Sequence, residues 1–345
     1  MDGMGGGAPA AHDHSAHAAH GAGVDRLPGG RYHYPNGGWN GHMLPGSFFL
    51  AWGLWWTVCT FGTYLQSLAA RRPFRTAGWQ RLPWGARALR NAPMEPFVKL
   101  ILPVAGILGE LWLGHEAFRG LYDSAGHFTT HINDWQHSTM YLAFTISGLV
   151  DLLCHYLGAP QGTELAFLGM SFLSEGLLLI FHLKGPRVEV LLHLILGLQV
   201  FATVVAVLVE LAAPSSILAA SARPWLTMLQ GIWWMETARI MYTSAPQWDP
   251  DTMQAGMMVP VPLVCWGMVT AAAMLLLLLV MKAVTERRLG RRLDLAGGGG
   301  GDAHHHPHAH HAHQLLPADE EAGSGDVELS GLIKTPVPVA GGGYA

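Results

Sequence analysis

Charge is what this chain has least of. Asp, Glu, Lys and Arg together make up 13% of its 345 residues, about half of the quarter carried by an ordinary soluble domain. That scarcity excludes a large domain solvated on all sides. Cysteine is scarce as well. Cys59, Cys154 and Cys265 each fall inside an apolar block, which excludes a disulfide framework and reads as three small buried hydrophobes. Chemistry-bearing motifs are missing. GGGG at 297–300 is followed by no GK[ST] and is linker, and the apolar blocks carry neither HExxH nor HxxxH. No nucleophile elbow or basic nucleic-acid stripe stands out. Residues 1–40 are rich in Gly, Ala and His and hold no apolar run. A secretory h-region needs one, so no cleaved signal peptide is expected.

Apolar residues, by contrast, form half of the chain. They lie in blocks of roughly 18–25, long enough for a helix to cross a hydrocarbon layer about 30 Å thick. The expected fold class is an all-α integral membrane protein with seven transmembrane helices, at 46–66, 97–117, 136–158, 164–183, 188–212, 224–243 and 257–282. The expected organisation is a disordered tail over 1–40, a seven-helix domain over 41–285 and a disordered tail over 286–345.

Positive residues set the orientation. The loop 67–96 holds Arg71, Arg72, Arg75, Arg81, Arg87 and Arg90, and the stretch after the last span holds Lys282, Arg287, Arg288, Arg291 and Arg292. Seven spans place both on one side, so the N-terminus is expected outside or in a lumen and the C-terminus in the cytosol. Lys184 and Arg187, in a short outer loop, run against this count. Trp39, Trp135, Trp225 and Trp248 stand near span ends, where indoles anchor at the interface. The bilayer is the expected partner, with no nucleic acid and no protein partner indicated. Plasma membrane and endomembrane (Golgi or endosome) both stay open.

Ionisable groups inside spans are costly, and they usually face the bundle interior. With alternating helix directions, Glu110, His137, Glu175, His182, His193 and Glu236 fall in one outer-leaflet layer. Asp151, about 21 Å below His137 at 1.5 Å per residue, lies in the inner half with His155 and Glu210. Positions 137, 141, 144, 148, 151 and 155 form one stripe of the third span, expected to face protein. Glu175 and His182, at i and i+7, share a face. Glu236 and Arg239, at i and i+3, are expected to neutralise one another. Gly106 and Gly109, next to Glu110, are expected to admit a close helix neighbour. The seventh span carries no charged group before Lys282 at its very end and is the candidate for lipid contact.

Three readings of the layer stay open. Glu110, His137, Glu175, His182 and His193 are candidate ligands for zinc or another divalent transition metal. The same groups suit a proton path, since His titrates near neutrality. Or they only hydrogen-bond across helices and fix packing, at about 1 kcal/mol a pair. Outside the spans, seven His in 304–313 and four in 12–20 are candidates for loose metal binding or are low-complexity drift. Glu328, Leu332 and Ile333 have acidic-dileucine spacing, a candidate sorting signal.

GHMLPGSFFLAWGLWW (41–56), DWQHSTMY (134–141) with SGLVDLL (147–153), SEG (174–176) with FH (181–182), LQGIWWMETA (229–238) and PQWD (246–249) occur in this order. Together they resemble the transmembrane protein 45 family, also termed domain of unknown function 716, the transmembrane epididymal proteins among its members. The resemblance covers about residues 41–285 and neither tail. It implies a seven-helix multi-pass membrane protein and brings no assigned activity. Carried over by motif, the matching polar positions are His42, Glu110, Gln136, His137, Asp151, Glu175, His182, His193 and Glu210. Two departures stand out. Animal members tend to carry more histidines between the fourth and fifth spans. Many also place a His after the Cys-Trp of the last span, where this chain has Gly267.

The leading expectation is a non-enzymatic membrane protein (transporter, receptor-like or trafficking factor) with an outer polar site. The first alternative is a metal-dependent intramembrane lipid hydrolase, with Glu110 or Glu175 as general base and His137, His182 and His193 as ligands of a water-activating metal. The second is a scaffold whose polar layer only holds helices together.

Overall fold

The computed structural model describes residues 26–27, 31–32, 34, 37–83, 85, 90–113, 117–243 and 247–295. The C-terminal tail, with its histidine cluster and Glu328, Leu332 and Ile333, lies outside the described residues, as does most of the N-terminal one.

Apolar blocks have become helices, since a helix satisfies its own backbone hydrogen bonds and so tolerates an apolar surround. They are α1 (Trp39–Ala69), α2 (Met94–Leu111), α3 (Ile132–Leu157), α4 (Thr163–Phe181), α5 (Arg187–Ala212), α6 (Ile217–Tyr242), a short α7 (Met253–Met258) and α8 (Pro260–Leu289). Among the described residues four stretches are long and apolar enough to cross a membrane: α3, α4, α5 and the continuous α7–α8 run. The helices pack in the order α2, α3, α4, α5, α6, α1, with α8 laid outside against α6 and α1.

Two boundaries moved from expectation for identifiable reasons. The sixth helix begins at Ile217 rather than 224. Ser216 caps it, its Oγ accepting from the Ala219 N–H, and Pro224 is carried inside the helix. The third begins at Ile132 rather than 136, so Asp134 lies in its first turn, where a carboxylate suits the positive end of the helix dipole. Arg119 holds Asp134 there at 2.7 Å.

Backbone closeness is greatest between α1 and α6. A Cβ on Gly231 would fall 2.3 Å from the Leu50 nitrogen, and one on Gly53 would fall 2.6 Å from the Met228 nitrogen. This is the small-residue contact by which membrane helices gain packing energy. Gly106 likewise admits the Tyr141 ring, whereas Gly109 faces open space, so only one of that pair serves a helix contact. The α8 surface is mostly exposed, with Gly267 and Met274 its buried residues, as a lipid-facing helix requires.

Three sequence expectations need correction. Cys265 is exposed and Cys154 half-buried, so only Cys59 is a buried cysteine; Cys154 lines the cleft at one end of the bundle. Trp225 is not a free interfacial anchor, because its Nε1–H donates to Thr270 Oγ1 of α8 at 3.0 Å. Part of the N-terminal stretch is built into the fold. Arg26–Leu27 and Arg31–Tyr32 pair as antiparallel strands β1 and β2. Tyr32 Oη donates to Asp249 at 2.8 Å, and its backbone exchanges two hydrogen bonds with the Gln247 amide. Tyr34 is buried, and burial pushes its phenol above the ordinary value, so the neutral hydroxyl donates to the Trp248 carbonyl.

Candidate functional site

Two polar zones occupy opposite ends of the bundle. The histidine end collects the starts of α1, α3 and α5 and the ends of α2, α4 and α6. The arginine end collects the opposite termini and the segment 70–83.

At the histidine end, His42 of α1 and His193 of α5 are 5% and 9% exposed. Their Nε2 atoms lie 3.3 Å apart. Each Nδ1 faces a carbonyl oxygen one turn earlier in the chain, Gly38 at 3.0 Å and Glu189 at 2.8 Å. Trp234 and Tyr242 of α6 place their rings 5.3 and 5.4 Å from that of His42. A second group sits beside this pair. His137 Nδ1 is 3.3 Å from Glu110 Oε1, the His137 and His182 rings are 5.3 Å apart, and His182 Nδ1 is 2.7 Å from Gln136 Oε1. The four imidazoles lie within electrostatic range of one another.

The expected ligand set is therefore divided. Glu110, His137 and His182 are neighbours, but His193 turns to His42. Glu175, buried between α4 and α6, accepts from Gln230 Nε2 at 2.8 Å. Among the described residues no three His, Cys, Asp or Glu side chains form a group that could hold a metal ion. Glu236 and Arg239 pair at 2.6 Å, as their spacing implies.

At the arginine end, two buried ion pairs form. Asp151 meets Lys99 at 2.5 Å, both buried. Glu210 receives Arg223 Nε at 2.7 Å and Nη2 at 3.0 Å, together with the Thr76 hydroxyl. The guanidinium of Arg223 also lies 4.3 Å from the Trp56 ring. Glu95, buried, accepts from the indoles of Trp55 and Trp56 and from the Gln80 N–H at 2.8–2.9 Å. His155 rests against Trp79, with Arg81 Nη2 at 3.4 Å. Beside these lies a cleft of about 560 Å³ lined by Thr60, Arg75, Thr76, His155, Glu164 and Glu210.

The stripe expected on the third helix does face protein. Tyr141 packs on Gly106, Phe144 on Phe49 and Phe172, Gly148 on the α2 backbone at Leu100, and Asp151 on Lys99. Sequence reasoning missed Glu95, Lys99, Glu189 and Arg223. Two signals were present. Lys99 is the charge opposite to Asp151 in a neighbouring span, and Arg223 stands one residue before Pro224, inside the helix once its true start is known.

Apolar helices of membrane-crossing length, buried ion pairs, and an apolar face on α8 define a multi-pass α-helical membrane protein. Comparison with known proteins agrees. A family model described as "Family of unknown function (DUF716)" matches residues 161–279. Transmembrane epididymal protein 1 of Homo sapiens is 30% identical over 145 residues, 40% of this chain and 52% of that protein. The match thus spans about half of that relative's length. Transmembrane epididymal protein 1 of Rattus norvegicus is 25% identical over 242 residues, 67% of this chain and 76% of the relative. Transmembrane epididymal protein 1A of Mus musculus is also 25% identical, over 243 residues. Over residues 161–279 the chain is similar to this family, whose function is unknown.

Proposed function

We propose that this is a non-enzymatic, proton-responsive membrane protein of seven crossings. Its N-terminus is outside or lumenal, its C-terminus is cytosolic, and the histidine end lies toward the outer leaflet. The observation that carries the reading is two neighbouring imidazole pairs at one end, His42 with His193 and His137 with His182, while Lys99 with Asp151 and Arg223 with Glu210 form closed ion pairs at the other. Closed pairs hold helices; imidazoles exchange protons between about pH 5 and 8. A transporter or receptor-like protein uses such a cluster as its switch. The arginine and lysine distribution supports the orientation. A metal ion at Glu110, His137, Glu175, His182 and His193 draws no support from the geometry, because those residues are divided among three separate contacts.

The test is tryptophan fluorescence of the full-length protein in lipid nanodiscs between pH 5 and 8. Trp234, 5.3 Å from His42, is a nearby reporter. A transition that shifts or vanishes in His137→Gln/His182→Gln supports the reading; a profile identical in wild type and variant sinks it. Metal analysis of the same samples decides the alternative, since one bound metal per chain would replace protons by a metal ion. Protease protection of terminal tags checks the orientation, and both tags on one side would overturn seven crossings.

A further inference from the structure

We propose that His42 and His193 form a single proton-binding site, complete only when the pair holds one proton more than two neutral imidazoles carry. The inference deepens the proton-responsive reading of the histidine end and rests on counting hydrogens.

Three contacts need a hydrogen. Nδ1 of His42 faces the Gly38 carbonyl, Nδ1 of His193 faces the Glu189 carbonyl, and the two Nε2 atoms face each other at 3.3 Å. A carbonyl oxygen only accepts, so each Nδ1 must donate to it. A neutral imidazole carries one N–H, and two of them supply two hydrogens for three contacts. With both on Nδ1, two Nε2 lone pairs oppose each other in a buried place. Moving one to Nε2 leaves an Nδ1 lone pair against a carbonyl. A third proton between the Nε2 atoms satisfies all three contacts at once, giving an imidazolium hydrogen-bonded to an imidazole.

Aromatic rings border the pair. The rings of Trp234 and Tyr242 lie within the range at which an aromatic attracts a cation. The titratable and charged groups around the pair are Tyr34 of the N-terminal segment, His137 of α3, His182 at the C-cap of α4, Lys184 just after it, Glu189 of α5 and Tyr242 of α6. Glu189, one turn before His193, is buried and gives its backbone carbonyl to His193 Nδ1. His137, His182 and Lys184 stand against a second proton on the pair. A metal ion is the other cation that two Nε2 lone pairs could hold. At 3.3 Å they would supply two ligands of a tetrahedral zinc with bonds of about 2 Å. No third His, Cys, Asp or Glu completes such a group among the described residues, so the proton is the ligand.

The test uses full-length protein labelled with ¹⁵N-histidine in lipid nanodiscs, followed by solid-state NMR of the ring nitrogens from pH 5 to 9. The expected result is an Nε2-to-Nε2 correlation joining a ring with two N–H groups to a ring with one, with one imidazolium per chain lost in His193→Gln. That variant keeps a side-chain amide to hydrogen-bond His42 Nε2 without the extra proton, and His42→Gln is its reciprocal. The correlation in the wild type decides even where a variant fails to fold. Two rings with a single N–H each at every pH would overturn the proposal, as would Nε2 signals that shift on adding zinc without any N–H proton. The two readings fail separately: an unchanged fluorescence profile in His137→Gln/His182→Gln refutes the wider function, and a pair without the third proton refutes only the site.

Discussion

Replacing Arg223 by Met tests how the arginine end is held. Arg223 and Glu210 are both 0% exposed. The guanidinium makes two bonds to the carboxylate, one to the Ala77 carbonyl at 3.2 Å, and lies over Trp56. Arg223→Met leaves Glu210 with the Thr76 hydroxyl and no counter-charge. Breaking one side of a buried pair costs about 3–5 kcal/mol, and the lost guanidinium–indole contact adds up to about 2 kcal/mol where it is desolvated. The expected loss is therefore about 3–7 kcal/mol. Arg223→Met/Glu210→Leu removes both charges and should recover most of it, because apolar replacement of a whole buried pair is often neutral or better. The assay is equilibrium unfolding in mixed micelles under increasing sodium dodecyl sulfate, run as a double-mutant cycle. A single-variant loss below about 1 kcal/mol, or a double variant as unstable as the two singles added, would refute the reasoning.

Two further outcomes follow from local geometry. Gly231→Ala should destabilise by roughly 1–3 kcal/mol in the same assay, since its Cβ would meet the backbone of α1 at Leu50 and Gly46. Gly109→Ala, which faces open space, should be neutral or slightly stabilising by helix propensity, and equal losses for the two would contradict the packing. In the loop before α3, Asp123 accepts the N–H groups of Ala125 and His127 at 2.9 Å. Those bonds, the His127 one foremost, hold its carboxyl below the ordinary range. The native value is depressed, so this loop order is present above the unfolded value and lost as pH falls through the native one. Amide exchange at Ala125 and His127 should accelerate below the ordinary carboxylate range, and equal protection there and at neutral pH would count against it.

Much of the helical framework was legible because lipid makes one demand on every segment separately. Each block has to satisfy its own backbone, so block length announces a helix. The stripe from His137 to Asp151 was legible because it lies on one helix, where the 3.6-residue period brings it to one face. Helix starts were less legible. The Ser216 cap lies outside the apolar block, and the Pro224 inside α6 reads as a boundary. Lys99 and Arg223 escaped notice because their partners, Asp151 and Glu210, stand on other helices.

The sequence by itself determined where apolar helices lie, that polar groups had to turn inward, and which family the chain resembles. Those properties depend on composition and on spacing within one segment. Tertiary structure decided the partners. It took Glu175 to Gln230, left His137 with Glu110 and His182, and set His193 against His42, 151 residues away. Which helix lies beside which is settled by close approach at residues such as Gly231 and Gly53, and no pattern inside one helix encodes the imidazole that another will bring.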